Sequence, residues 1–114
     1  MAKPAKVDYD DENDILYLFT GEKASDSLEI DNFVIDFSSD NKIVGVEIMN
    51  ATEMLSKLSQ IIIPKDSLSR IESAAMNIYH GRELLYILLA IRLPINNRIE
   101  EIRIPVPAPA AISI

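Results

Sequence analysis

The sequence predicts an α+β fold, mainly an antiparallel β meander of about eight strands with one short amphipathic helix in the middle. Three observations support this. The segment Asp8-Tyr9-Asp10-Asp11-Glu12-Asn13-Asp14-Ile15-Leu16 is echoed by Asp36-Phe37-Ser38-Ser39-Asp40-Asn41-Lys42-Ile43-Val44, each with a strand aromatic, a polar turn and a return into apolar residues. Ser27-Leu28-Glu29-Ile30-Asp31 alternates polar and apolar residues, and Phe33, Ile35 and Phe37, like Val44, Val46 and Ile48, recur with period 2. At Asn50 the period changes, and Ala51, Met54, Leu55 and Leu58 take the spacing of one helical face.

The first hairpin is expected to place strands near Lys6 to Tyr9 and Asp14 to Phe19. Asn13 and Asn41 are expected to close the two turns, because asparagine tolerates positive φ better than most residues with a side chain. A loop at Thr20-Gly21-Glu22-Lys23 precedes Ser27 to Asp31, which alternates as a half-buried strand does. Phe33, Ile35 and Phe37 share one face of the next strand, with Val34 and Asp36 on the other, and Val44, Val46 and Ile48 share a face of the strand after it. Gly45 sits opposite that face, where a missing side chain permits close packing or marks a bulge.

Asn50 and Glu53 are spaced as a capping box for the helix. Ile61-Ile62-Ile63 is β-branched, Pro64 stops any continuation, and Lys65 to Ile71 has room for one or two helical turns. Three more strands are expected near Glu72 to Tyr79, Leu84 to Leu93 and Arg98 to Val106, with turns at His80-Gly81-Arg82-Glu83 and Pro94-Ile95-Asn96-Asn97. The apolar run Leu84 to Ile91 fits either a buried strand or a buried helix. Strand is preferred because a Gly-containing turn precedes it and Pro94 ends it. Prolines at 105, 107 and 109 remove alternate ladder donors, so this end is expected to be an edge strand passing into polyproline II. Residues 1–107 are read as one domain and 108–114 as a flexible or docked tail.

The segment from Val7 to Leu55 resembles a family of small uncharacterised prokaryotic proteins, domain of unknown function 2283. The resemblance rests on Tyr9-Asp10-Asp11-Glu12-Asn13-Asp14-Ile15-Leu16-Tyr17-Leu18 and on Ile43-Val44-Gly45-Val46-Glu47-Ile48-Met49-Asn50-Ala51. Asn41-Lys42 stands near where members commonly carry glycine in the second turn. The resemblance implies an architecture and no catalytic residue, and some relatives resemble antitoxins by gene neighbourhood.

Composition narrows the function. The 114 residues hold no cysteine, which excludes disulfides, thiolate metal sites and cysteine nucleophiles. No apolar run approaches the ~20 residues of a membrane helix, and the N-terminus lacks an apolar signal core, so a soluble cytoplasmic protein is expected. The net charge of −7 is uneven: residues 1–57 hold 13 acids and 5 bases, whereas residues 58–114 hold 5 acids and 6 bases. Such a field repels phosphate backbones, so autonomous nucleic-acid binding is not expected and a basic protein partner is.

The carboxylates Asp10, Asp11, Glu12 and Asp14 are the first candidate site, as a partner-binding cluster. A calcium loop would also need a glycine and a distal bidentate acid, which are missing, so a solvated turn is expected and no metal or cofactor is assigned. His80 has no predictable catalytic companion, and Gly21, Gly45 and Gly81 are isolated, so no triad and no phosphate loop is proposed. Glu47 is expected to be exposed or ion-paired, with an arginine of the second half as one candidate partner. Tyr9, Tyr17, Tyr79 and Tyr86 are read as strand packing residues. Ile104, Val106, Ile112 and Ile114 leave an apolar end and are the candidate oligomer contacts. The function expected is a non-catalytic protein-interaction module, an antitoxin-like partner of a small basic protein. The alternatives are a self-associating structural domain, in the simplest case a homodimer, and a divalent-ion-dependent enzyme.

Overall fold

The computed structural model describes residues 3–80 and 84–109. Its strands are β1 (Lys3–Asp10), β2 (Ile15–Phe19), β3 (Asp26–Ile30), β4 (Phe33–Phe37), β5 (Ile43–Met49), β6 (Ser73–His80), β7 (Leu84–Ile95) and β8 (Arg98–Pro109). Helices α1 (Ala51–Ser59) and α2 (Lys65–Leu68) lie between β5 and β6. The strands form one sheet in the order β3-β4-β5-β2-β1-β6-β7-β8, with every adjacent pair antiparallel.

This order corrects the simple meander. β3-β4-β5 and β6-β7-β8 are meanders, but the β1–β2 hairpin is set between them, and β2 to β5 form a Greek key. β1 splices the two halves. Its first residues, Lys3 to Ala5, pair with β6, and Lys6 to Asp10 pair with β2.

The sheet must curl. α1 packs against both β5 and β8, which stand five strand spacings apart, about 24 Å if the sheet were flat. A nine-residue helix is only about 14 Å long. The eight strands therefore wrap as a half-barrel around a core of Leu16, Leu18, Ile35, Val46, Ile48, Ile87, Leu89, Ile91 and Ile104, into which α1 inserts Ala51 and Leu55. The apolar stripe expected on α1 is buried only in part: Met54 is half-buried and Leu58 is 41% exposed.

Asp14 decides where α1 begins. Its backbone is in the left-handed region (φ 56°), a conformation the sequence reading assigns to Asn13. Asn13 instead donates from its backbone and its Nδ2 to the Asp10 carboxylate at 3.2 and 2.8 Å, which folds the loop one residue earlier. The Asp14 carbonyl accepts from the Ala51 amide at 2.9 Å, and its carboxylate accepts from the Thr52 amide at 3.2 Å and the Thr52 hydroxyl at 2.6 Å. The capping box is thus replaced. Asn50 occupies the N-cap position in the left-handed region and makes no side-chain cap, so a carboxylate from another hairpin serves the free amides of the first turn.

The second half shows how prolines sit in a sheet. Asn96 and Asn97 both have positive φ (51° and 65°) and close a two-residue hairpin, with Ile95 opposite Arg98. β7 therefore passes through Pro94 and does not end there. Pro94 tolerates this because β6 starts at Ser73, opposite Arg92, so no ladder donor is missed beyond it. Pro105, Pro107 and Pro109 pair with Leu88, Tyr86 and Leu84 at alternate positions of β8, the last strand in the order. The edge assignment holds, but the strand continues to Pro109 where polyproline II was expected. Ala108 and Pro109 are ladder residues, and residues 110–114 lie outside the described residues.

Ile104 and Val106 are 0% and 1% exposed in the chain's own core, so neither can serve as an oligomer contact. The reason is parity: residues opposite the inward Leu89 and Ile87 also face inward. Ile112 and Ile114 lie outside the described residues.

Two stability predictions follow from this packing. Leu55→Ala should cost about 2 to 4 kcal/mol in denaturant unfolding, the range for truncating a fully buried leucine. A cost near zero would place α1 outside the core. Asp14→Asn should cost about 1 to 2 kcal/mol at neutral pH. Burial opposes ionisation of Asp14, but the hydrogen bonds from Thr52 and Tyr9 outweigh it and hold its pKa below the ordinary aspartate value. Its stabilisation is therefore complete above about pH 4 and lost as pH falls through the lower folded pKa. The gap between wild type and Asp14→Asn should close in acid-side unfolding curves.

Candidate functional site

Register assembles a second polar group on the outer face of the sheet. Antiparallel partners share a face, so Asp8 opposite Tyr17, Tyr17 opposite Glu47, and Glu47 opposite Val34 form one row across β1, β2, β5 and β4. Lys6, Phe19, Gly45, Asp36 and Ser27 form the next row, which reaches β3. Ile15 and Met49 stand opposite each other at the near end.

Gly45 makes the site. A Cβ built there would lie 2.7 Å from the Tyr17 hydroxyl oxygen and 2.8 and 3.0 Å from two carbons of its ring. Without that atom, the Tyr17 ring lies across β5 and donates its hydroxyl to Asp36 Oδ2 at 2.8 Å on the next strand. The same ring stacks on Phe19, with centroids 4.7 Å apart. Close packing is thus what the missing side chain at Gly45 permits. The irregularity in β5 lies just beyond, where the register shifts and Phe37 pairs with Ile43. Ile43 takes the inward place expected of Val44.

The electrostatics of this face are one-sided. Asp36 is only 9% exposed, and Glu47 is half-buried beside it. Burial, and then repulsion from Asp36, push the Glu47 pKa above the ordinary glutamate value. Burial and the hydrogen bond to Asp36 push the Tyr17 phenol up to about 12. Glu47 has no arginine partner: the ion pairs among the described residues are Arg70–Asp66, Arg92–Glu72, Arg98–Glu100 and Arg103–Glu101. Lys6 is the one cation that register places on this face of the first five strands, and its Nζ reaches toward Gly21.

The acidic loop chosen from the sequence is close by, at the β1–β2 turn. Asp11 and Glu12 are exposed, while Asp10 is held by Glu12 and Asn13, whose hydrogen bonds lower its pKa. Asp14 is committed internally to Thr52 and to the Tyr9 hydroxyl at 2.6 Å, which removes it from any outward cluster. Burial and this hydrogen bond raise the Tyr9 pKa. Among the described residues no group of three His, Cys, Asp or Glu side chains is placed to hold a metal ion. Sequence reasoning overlooked Tyr17 and Asp36. Their signal was period 2 together with Gly45, but which strand lies beside β5 could be read only from the register.

The raised pKa of Glu47 makes a prediction with a defined sign. Its charged form is disfavoured in the fold, so its ionisation costs stability above the ordinary glutamate pKa. Glu47→Gln should therefore melt higher than wild type at pH 7, with the difference vanishing near pH 4. A lower melting point at pH 7 would mean that the carboxylate has a favourable partner.

Comparison with known proteins agrees with the residues that build this half. No helix among the described residues is long and apolar enough to cross a membrane. An uncharacterized protein of Methanocaldococcus jannaschii is 40% identical over 52 residues, which is 45% of this chain and 45% of the relative. The match thus spans just under half of either protein. No solved structure matches the chain. Residues 6–51, from within β1 to the first residue of α1, match the family described as protein of unknown function (DUF2283).

Proposed function

We propose that the outer face of β1, β2, β5 and β4 docks a small basic protein, which makes this chain a non-catalytic interaction module. One observation carries the reading: Asp8, Asp36 and Glu47 surround the stacked Tyr17 and Phe19 rings with no ion-pair partner among the described residues. A half-buried carboxylate of raised pKa is unfavourable in the free protein, and a lysine or arginine from a partner relieves it. The aromatic floor adds a surface on which a guanidinium stacks. Exposed Asp11 and Glu12 at the rim contribute attraction over longer range. An antitoxin-like role, masking a basic toxin inside the cytoplasm, is the form this reading takes. It assigns no catalytic residue, metal or cofactor, and this face repels nucleic acid.

The test uses the full chain as bait in extract from its native cells, beside an Asp8→Lys, Glu47→Lys double variant. The wild type should retain a basic protein that the variant does not. Raising salt to about 1 M, where the screening length falls to about 3 Å, should release it. Equal retention by the variant, or indifference to salt, sinks the reading.

A further inference from the structure

β3 is the open edge of the sheet. Among the described residues it pairs with β4 alone, whereas β8, the opposite edge, is closed because Pro105, Pro107 and Pro109 leave its outer side without donors. Register shows what β3 offers. The Met49 amide donates to the Asn32 carbonyl at 2.8 Å, so Val34 and Asp36, in step with Asn32, turn their backbone groups to β5, and Phe33, Ile35 and Phe37 turn theirs to β3. Ile30 and Leu28, opposite Phe33 and Ile35, therefore bond to β4, and Ser27 and Glu29 direct their N–H and C=O away from it. The Ser27 amide accordingly donates to the Asp26 carboxylate at 2.9 Å. Side chains alternate as well. Leu28 and Ile30 are half-buried at the margin of the core, whereas Ser27 and Glu29 are exposed. Glu29 ends the outer row that runs from Tyr17 through Glu47 and Val34.

We infer that β3 receives an extended segment of another protein as a further strand, and that this segment alternates basic and apolar residues. Charge selects the partner. Residues 24–41 hold five acids, among them Asp26, Glu29 and Asp31, and no basic residue. None of these three acids is in an ion pair among the described residues. A second copy would set the same acids of two chains along one seam, where like charges repel, so self-pairing is opposed. A basic strand reverses the sign. Its outward residues meet Glu29, its inward apolar residues cover Leu28 and Ile30, and its backbone takes the outward groups of Ser27 and Glu29. The incoming carbonyl displaces the Asp26 carboxylate from the Ser27 amide and replaces an exposed contact between neighbours by a ladder bond. The acids that keep a neutral or acidic strand off this short edge thus admit a basic one. The edge stands on different residues from the outer-face reading, since it uses none of Asp8, Asp36 or Glu47.

The probe is a synthetic heptapeptide of alternating lysine and valine, blocked at both ends and titrated into the purified full chain, with amide exchange read residue by residue by NMR. At about ten times its Kd the peptide should slow exchange of the Glu29 amide about tenfold. A peptide of the same composition with its lysines and valines in separate blocks has the same charge without the alternation, and should bind about tenfold more weakly. Ser27→Pro removes an outward donor and no bond to β4, so it should keep the circular dichroism of wild type and weaken binding about tenfold. Glu29→Lys, at an exposed side chain, should weaken it by about as much, and decides the matter if Ser27→Pro disturbs the fold. No slowing at about 1 mM peptide, equal binding of the block peptide, or undiminished binding by Glu29→Lys or by folded Ser27→Pro overturns the inference. The titration uses neither cell extract nor a variant of the Tyr17 face. Its failure therefore leaves outer-face docking standing, and a bait that retains no basic protein leaves the edge result standing.

Discussion

Asp14 holds the two halves of the chain together by serving both. As the last residue of the β1–β2 turn, it takes a left-handed conformation, costly for most residues but tolerated by Asp. As the acceptor for the Ala51 and Thr52 amides, it fixes the point at which the chain leaves the first sheet half. These roles are coupled, because the left-handed backbone aims both its carbonyl and its carboxylate at the helix start. Lys42, the corresponding residue of the second hairpin, accepts the Ser38 amide at its carbonyl, but its ammonium side chain can accept none, and that turn borders no helix. Thus two look-alike turns have different duties. The β1–β2 acids that look like a solvated cluster are divided between local turn formation at Asp10 and long-range capping at Asp14.

From that anchor the curvature follows. α1 leaves β5 beside β2 and meets β8, so the sheet closes toward the helix and the long strands β7 and β8 wrap over it. β1 allows the bend by pairing with β6 over three residues and with β2 over five. Such a short splice concentrates twist at one place without breaking the ladder. The far edge is then finished by proline, which has no amide to offer a passing strand.

Much of this architecture was legible in period and turn chemistry. Phe33, Ile35 and Phe37 face inward as alternation requires, Asn41 has positive φ, and α2 falls where one or two helical turns had room. What failed was non-local. The capping box around Asn50 satisfied every local rule, but tertiary structure supplied a stronger acceptor from residue 14. Pro94 ends most strands, but not one whose neighbour has already stopped. Ile104 and Val106 read as an apolar end in need of cover, because only the pairing to β7 shows which way they face. The candidate site was half legible: Gly45 and Glu47 stood out, whereas Tyr17 and Asp36 acquire meaning only through being two strands apart.

That separation explains why one glycine organises a whole surface. A tyrosine hydroxyl cannot reach a residue two strands away if a side chain stands between them, since adjacent strands are about 4.8 Å apart. Removing the Cβ at position 45 lowers the surface there, and the Tyr17 ring fills the space and brings its hydroxyl to Asp36. The ring then covers Asp36, while burial and the Asp36 charge disfavour ionisation of the neighbouring Glu47. A surface that needed only stability would replace Glu47 by a neutral residue. Its presence next to an aromatic pair, on a face of the first five strands where register places one cation, is the physical reason to look for the missing positive charge on another molecule.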